Sequence, residues 1–90
     1  MVSVEKVNAL MSATQDAVEQ CVTDMDKWPA FNSAHEGFSI LMEEVDELWD
    51  EVKKKQTNRT IVEMRKEALQ VSAMALRFAV EVCNEETIRK

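Results

Sequence analysis

The chain has 90 residues, 46% of them hydrophobic and 31% charged, which places it with single folded domains rather than disordered segments. Its net charge of −6 at pH 7 argues against a nucleic-acid backbone or an anionic membrane as partner, and no apolar run reaches the roughly 18 residues of a membrane span. One glycine and one proline leave too little punctuation for hairpins, so residues 1–90 read as one all-α domain.

The spacing predicts a first helix from about Ser3 to Asp26. Val4, Val7, Met11, Thr14, Val18, Cys21 and Met25 recur at steps of three and four, with Leu10 and Ala17 widening the stripe. "KWPAFNSAH" then breaks the helix, because Pro29 disfavours helix at Trp28 and Asn32 and Ser33 are turn and N-cap formers. A second helix follows from Ser33 or Ala34 to about Lys54, with Phe38, Leu41, Met42, Val45, Leu48, Trp49 and Val52 on its apolar face. Trp49 shares that stripe and reads as core or dimer interface. Lys53, Lys54 and Lys55 suit the negative end of this helix.

"QTNRT" is a loop, and the third helix begins between Asn58 and Thr60, where Thr60 and Glu63 have capping-box spacing, and runs to about Asn84. From Ala68 to Cys83 its clearly polar residues are Gln70, Ser72, Arg77 and Glu81. A helix so apolar needs neighbours on several sides, and two other helices cannot surround it. The expectation is a homodimer, or a tetramer of paired dimers, in which helical hairpins from two chains form a four-helix-type bundle. Cys21 and Cys83 fall within helical patterns, without CxxC spacing or a signal peptide, and read as reduced core residues of a cytoplasmic protein.

The acids are unevenly spread. "EEVDELWDEV", Glu43 to Val52, holds six carboxylates in ten residues, although like charges three and four apart repel on a helix. At about 100° per residue, Glu44, Glu47 and Glu51 border the apolar stripe, and Glu43, Asp46 and Asp50 take the other flank. On the third helix Glu63, Glu67, Gln70, Arg77 and Glu81 form a narrow polar seam. Glu44 with Glu47, and Glu67 with Gln70, are each three apart, so four oxygen-bearing side chains can converge between two packed helices, an environment suited to a hard divalent cation. The same acids also fit a solvated surface that keeps the chain soluble.

"HEGFSILMEEVDELWDEV" followed by "MRKEALQVSAMALRF" resembles the MazG-like, all-α nucleoside triphosphate pyrophosphatases, over about Trp28 to Val82. In that superfamily an ExxE on one helix and an ExxD on the next hold Mg²⁺. The metal binds the phosphates of a nucleotide while water attacks the α-phosphorus, giving a monophosphate and pyrophosphate. The resemblance implies that Glu44, Glu47 and Glu67 are metal ligands, for Mg²⁺ or Mn²⁺, with Glu47 as the base that takes the water proton. Gln70 stands where the pattern has Asp. Its carbonyl oxygen can ligate a metal or orient a water but adds no charge, which implies weaker metal binding.

Lys54 and Arg77 are candidates for the outer phosphates, or else members of ion pairs. Trp28 and His35 precede the acidic helix, where family members hold the base. They either do so here, Trp28 by stacking and His35 by hydrogen bonding, or they pack the start of the helix. Two rival functions share this sequence: a non-catalytic nucleotide-binding or regulatory dimer, motivated by Gln70, and a structural module whose third helix binds another protein. A di-iron bundle is disfavoured because its Glu-x-x-His pairs are missing.

Overall fold

The computed structural model describes residues 1–84, in which three α-helices follow one another: α1 (Val4–Lys27), α2 (Ala34–Val52) and α3 (Ile61–Glu81). No strand occurs among the described residues, and no helix is long and apolar enough to cross a membrane.

Each helix starts where a short hydroxyl side chain precedes it. Ser3 accepts a hydrogen bond from the Lys6 N–H at 3.2 Å, Ser33 from Glu36 at 3.1 Å and Thr60 from Glu63 at 3.1 Å. Each bond satisfies one of the orphan donors of a first turn. Glu36 reaches back to the backbone and side-chain amides of Asn32, fixing the entry to α2. At the other end of the connection Trp28 is extended, at φ −120° and ψ 146°, as the residue before a proline should be.

The predicted ends of two helices run long. α2 stops at Val52, where the Lys54 N–H turns back to the Glu51 carbonyl at 3.4 Å, so Lys53 is the C-cap and Lys54 and Lys55 lie beyond the last turn. α3 stops at Glu81 rather than Asn84, and the Asn84 side chain donates to the Val80 carbonyl at 2.8 Å.

α3 packs against both other helices, while α1 and α2 barely touch each other. One contact is unusually close. A Cβ on Gly37 would lie 2.8 Å from the Phe78 ring and 3.0 Å from the Phe31 ring, so the lack of a side chain there lets α2 approach both phenylalanines. Among the described residues the buried hydrophobic ones are Ala17, Cys21, Phe31, Ala73 and Met74, and no large side chain is fully enclosed.

Much of the predicted core therefore lies open within the single chain. Ala17 and Cys21 from the α1 stripe are buried, but Val4, Val7, Met11, Val18 and Met25 are exposed, because only one helix packs closely on α1. Phe38, Met42 and Trp49 on α2 are also exposed, so Trp49 is not core within the chain. On α3 Leu76 and Val80 face outward. Cys83, expected to be a core residue, is exposed, because α3 ends before it; Cys21 is buried and both thiols are free. The Cα radius of gyration is 15.1 Å, against about 12 Å for a compact domain of this length.

Candidate metal centre

The i,i+3 spacing of Glu44 and Glu47 on α2 turns both carboxylates toward α3, which presents Glu67 from its middle. One oxygen from each of the three lies within 4.8 Å of the others. Among the described residues, no ion pair reaches any of them; the four salt bridges lie elsewhere.

Such crowding shows in the protonation of the group. Glu44 is pushed up to about 7, first by burial, then by a hydrogen bond with Glu47 and by the charges of Glu47, Glu67 and Asp24. Glu67 is also raised, by burial first and then by Glu47, against the opposing pull of Lys66. One of its oxygens, Oε2, is enclosed and has no hydrogen-bond partner. An enclosed anionic acceptor with nothing to accept from is costly, and a hard divalent cation is the partner that suits three converging carboxylates. The donor set fits Mg²⁺ or Mn²⁺.

Beside the three acids opens a cleft of about 420 Å³, within the roughly 300–1,000 Å³ of small-molecule sites. Glu44, Gln70, Trp28, Arg77, Glu43 and Asp24 all line it, so it joins the acids of α2 to the end of α1 and the seam of α3. Met74 and Ile40 supply apolar surface. Gln70 thus shares a cavity with Glu44, and Trp28, 54% exposed, stands at the same cleft with the Lys27 ammonium 5.2 Å from its ring centre.

No protein-family model, curated protein or solved structure matches the chain.

Two of the predicted substrate contacts lie apart from the cleft. His35 lines a separate surface depression with Phe38 and Phe78. Lys54, just past the end of α2, pairs with Glu51 at 2.7 Å, and the hydrogen bond to that carboxylate is the main cause that raises its pKa. Arg77 lines the cleft but is 3% exposed, and its guanidinium is held by the chain itself. Nε donates to both oxygens of Glu81 at 3.0 and 3.1 Å, and Nη2 donates to the Pro29 carbonyl at 2.6 Å. The Arg77–Glu81 pair ties α3 to the α1–α2 connection, which makes this part of the seam structural.

Asp24 is the cleft residue that sequence reasoning passed over. It lies three residues beyond Cys21 and seven beyond Ala17, on the buried side of α1, and is itself buried. An acid in step with the apolar stripe was the available signal.

Proposed function

We propose that the chain is a divalent-cation-dependent nucleoside triphosphate pyrophosphohydrolase, converting a nucleoside or deoxynucleoside triphosphate to its monophosphate and pyrophosphate. The observation that carries this reading is the convergence of Glu44, Glu47 and Glu67, with the unpartnered oxygen of Glu67, beside a cleft that holds Gln70 and Trp28. The order of these residues is that of the MazG-like pattern, which contributes the choice of reaction.

When bound, Mg²⁺ or Mn²⁺ would neutralise phosphate charge and activate a water. Glu44, Glu47 and Glu67 are the residues that would hold it. On this reading Glu47, the most open of the three, would take the proton of the attacking water, and Gln70 would orient that water through its carbonyl oxygen. The water oxygen forms a bond to the α-phosphorus, the bond from that phosphorus to the bridging oxygen breaks, and pyrophosphate leaves with the electron pair. Trp28 offers a flat apolar surface for the base at the rim of the cleft.

The working form on this reading is a homo-oligomer, a dimer or a tetramer. What supports it is exposed apolar surface: Leu10 on α1 and Leu76 on α3 flank an open groove of about 440 Å³ lined mainly by small and aliphatic side chains. The accessible area is 6963 Å², against about 5,400 Å² for a compact monomer of this size, an excess about twice the roughly 800 Å² that each partner buries in a standard interface.

The deciding experiment incubates the purified chain with a panel of nucleoside triphosphates in Mg²⁺ and resolves monophosphate plus pyrophosphate from diphosphate plus phosphate. Turnover that is lost in both Glu44→Gln and Glu47→Gln supports the enzyme. Unchanged hydrolysis in those variants removes the ligand assignment. A second reading, a nucleotide-binding dimer without turnover, is favoured by the neutral Gln70 on the cleft wall. Micromolar binding with no product in Mg²⁺ or Mn²⁺ would select it.

A further inference from the structure

Gln70 is a wall of two hollows. Along α3 the cleft beside the acids takes in Gln70, Met74 and Arg77, and a second depression of about 520 Å³ runs the other way, from Gln70 through Lys66 and Arg65 to Val62. Three basic side chains thus line the two, and two of them are already held. Arg77 directs Nε to Glu81 and Nη2 to the Pro29 carbonyl, and Arg65 binds Asp16, the acid on the wall of the second depression, at 2.9 Å. Lys66 is exposed and takes part in none of the ion pairs among the described residues. It precedes Glu67 directly, and its charge acts on that carboxyl.

We propose that Lys66 holds the outer phosphates of the nucleotide, so that the chain takes triphosphates in preference to monophosphates through this side chain as well as through a metal. The inference rests on the nucleotide reading above. Arg77 binds the carbonyl of Pro29, the residue after Trp28, so the surface offered to the base belongs with the Arg77 part of the cleft. Glu67, which with Glu44 and Glu47 would hold the metal, lies between Lys66 and Gln70 in α3. Base, metal and Lys66 therefore follow one another along α3, in the order in which a nucleotide presents its base, its α-phosphate and its outer phosphates. Lys66 and Gln70 are one turn apart on the same side of the helix, about 6 Å along its axis. Asp24 and Glu43 line the cleft but not the second depression, and carboxylates repel phosphate, which favours the Lys66 side for the charged end of the ligand. When water displaces pyrophosphate from the α-phosphorus, the electron pair of the broken bond goes to the pyrophosphate, and the Lys66 ammonium offsets the charge that builds there.

The experiment uses the full chain in Mg²⁺ and compares, by calorimetry, α,β-imido nucleoside triphosphates, which bind without being cut, with the matching monophosphates in adenine, guanine, cytosine and uracil forms. Lys66→Met keeps the apolar stem and removes the charge. It should weaken binding of the triphosphate analogue about tenfold and leave the monophosphate where it was. Lys66→Arg, which keeps the charge, should retain most of the native affinity. Lys66 is exposed, so neither change disturbs a packed core. Mn²⁺ alone should bind Lys66→Met at least as tightly as the native chain, because the charge removed repelled it, whereas general damage to the site would weaken both ligands. An unchanged affinity for the analogue, or equal losses for analogue and monophosphate, overturns the role of Lys66 and leaves the nucleotide reading standing. Failure of the native chain to bind any of these nucleotides overturns both.

Discussion

The guanidinium carbon of Arg77 lies 4.1 Å from the centre of the Phe31 ring, while Glu81, which Arg77 holds, accepts the backbone N–H of Phe31 at 3.0 Å. Two residues on α3 thereby fix one residue of the α1–α2 connection through both its side chain and its main chain. Arg77→Ala leaves the Glu81 carboxylate buried without its cation, and the chain should lose about 3 kcal/mol of stability. Urea unfolding checks this. Arg77→Lys keeps the charge but not the planar fork, and should fall between the two. A loss under about 0.5 kcal/mol for Arg77→Ala, the range of ordinary surface changes, would mean that the clamp contributes nothing.

Stability of the metal-free chain should fall as pH rises toward neutrality. Glu44 binds its proton more tightly folded than unfolded, with a pKa of about 7 against the ordinary glutamate value of 4.5, and Glu67 shifts in the same direction. Between those values the folded chain holds a proton that the unfolded chain has released, so the slope of unfolding free energy with pH is negative. Melting temperature in chelator should decline from about pH 4.5 to about pH 7. Adding millimolar Mg²⁺ should raise it most at the upper end, where the carboxylates are free to ligate. A flat profile in chelator would show that the three acids do not interact as their spacing demands.

Gln70→Asp adds a fourth negative charge to the wall that Gln70 shares with Glu44. Metal affinity should rise, by about tenfold for a charge contributing about 1.4 kcal/mol. Without metal the variant should melt lower than the native chain, because the repulsion grows. Titration with Mn²⁺ followed by electron paramagnetic resonance measures the first effect, and calorimetric melting in chelator the second. Unchanged Mn²⁺ affinity would place Gln70 outside the coordination sphere.

Leu76→Lys tests the assembly. Leu76 is 40% exposed within the chain, so a lysine there is tolerated by the single chain but puts a charge into any interface built on the α1–α3 groove. Sedimentation should find the native chain as a dimer or tetramer and the variant shifted to monomer at micromolar concentration. A native chain that sediments as a monomer would remove the oligomer.

Helix starts were legible in the sequence because a single side chain decides each: Ser33 and Thr60 cap α2 and α3 in the predicted regions. The helix ends were not, since Lys53 and Asn84 fit a last turn as well as a cap, and hydrogen bonds of the Lys54 amide and the Asn84 side chain decide where the helix stops. The meeting of Glu44, Glu47 and Glu67 followed from i,i+3 spacing and needed only α2 and α3 to be neighbours. Periodicity could not say which neighbour an apolar residue has. Val18 and Cys21 belong to one stripe, yet Cys21 faces α3 and Val18 faces outward. For Arg77 the sequence left a phosphate contact and an ion pair both open: Glu81, four residues on along α3, was the legible partner, whereas the Pro29 carbonyl, 48 positions away in the chain, is brought to it only by the fold.

That separation orders events on the ribosome. α1 and α2 can form and cap themselves as soon as they emerge, since their capping bonds span three residues. Nothing fixes the Pro29–Phe31 bend against them until residues 77–81 are synthesised, because the bonds that do so reach across 48 and 50 positions. A nascent chain halted before residue 77 would carry Glu44 and Glu47 on a finished helix but would lack Arg77 from the wall of the cleft. The part of the cleft wall that Met74 and Arg77 supply is therefore in place only once the second half of α3 docks.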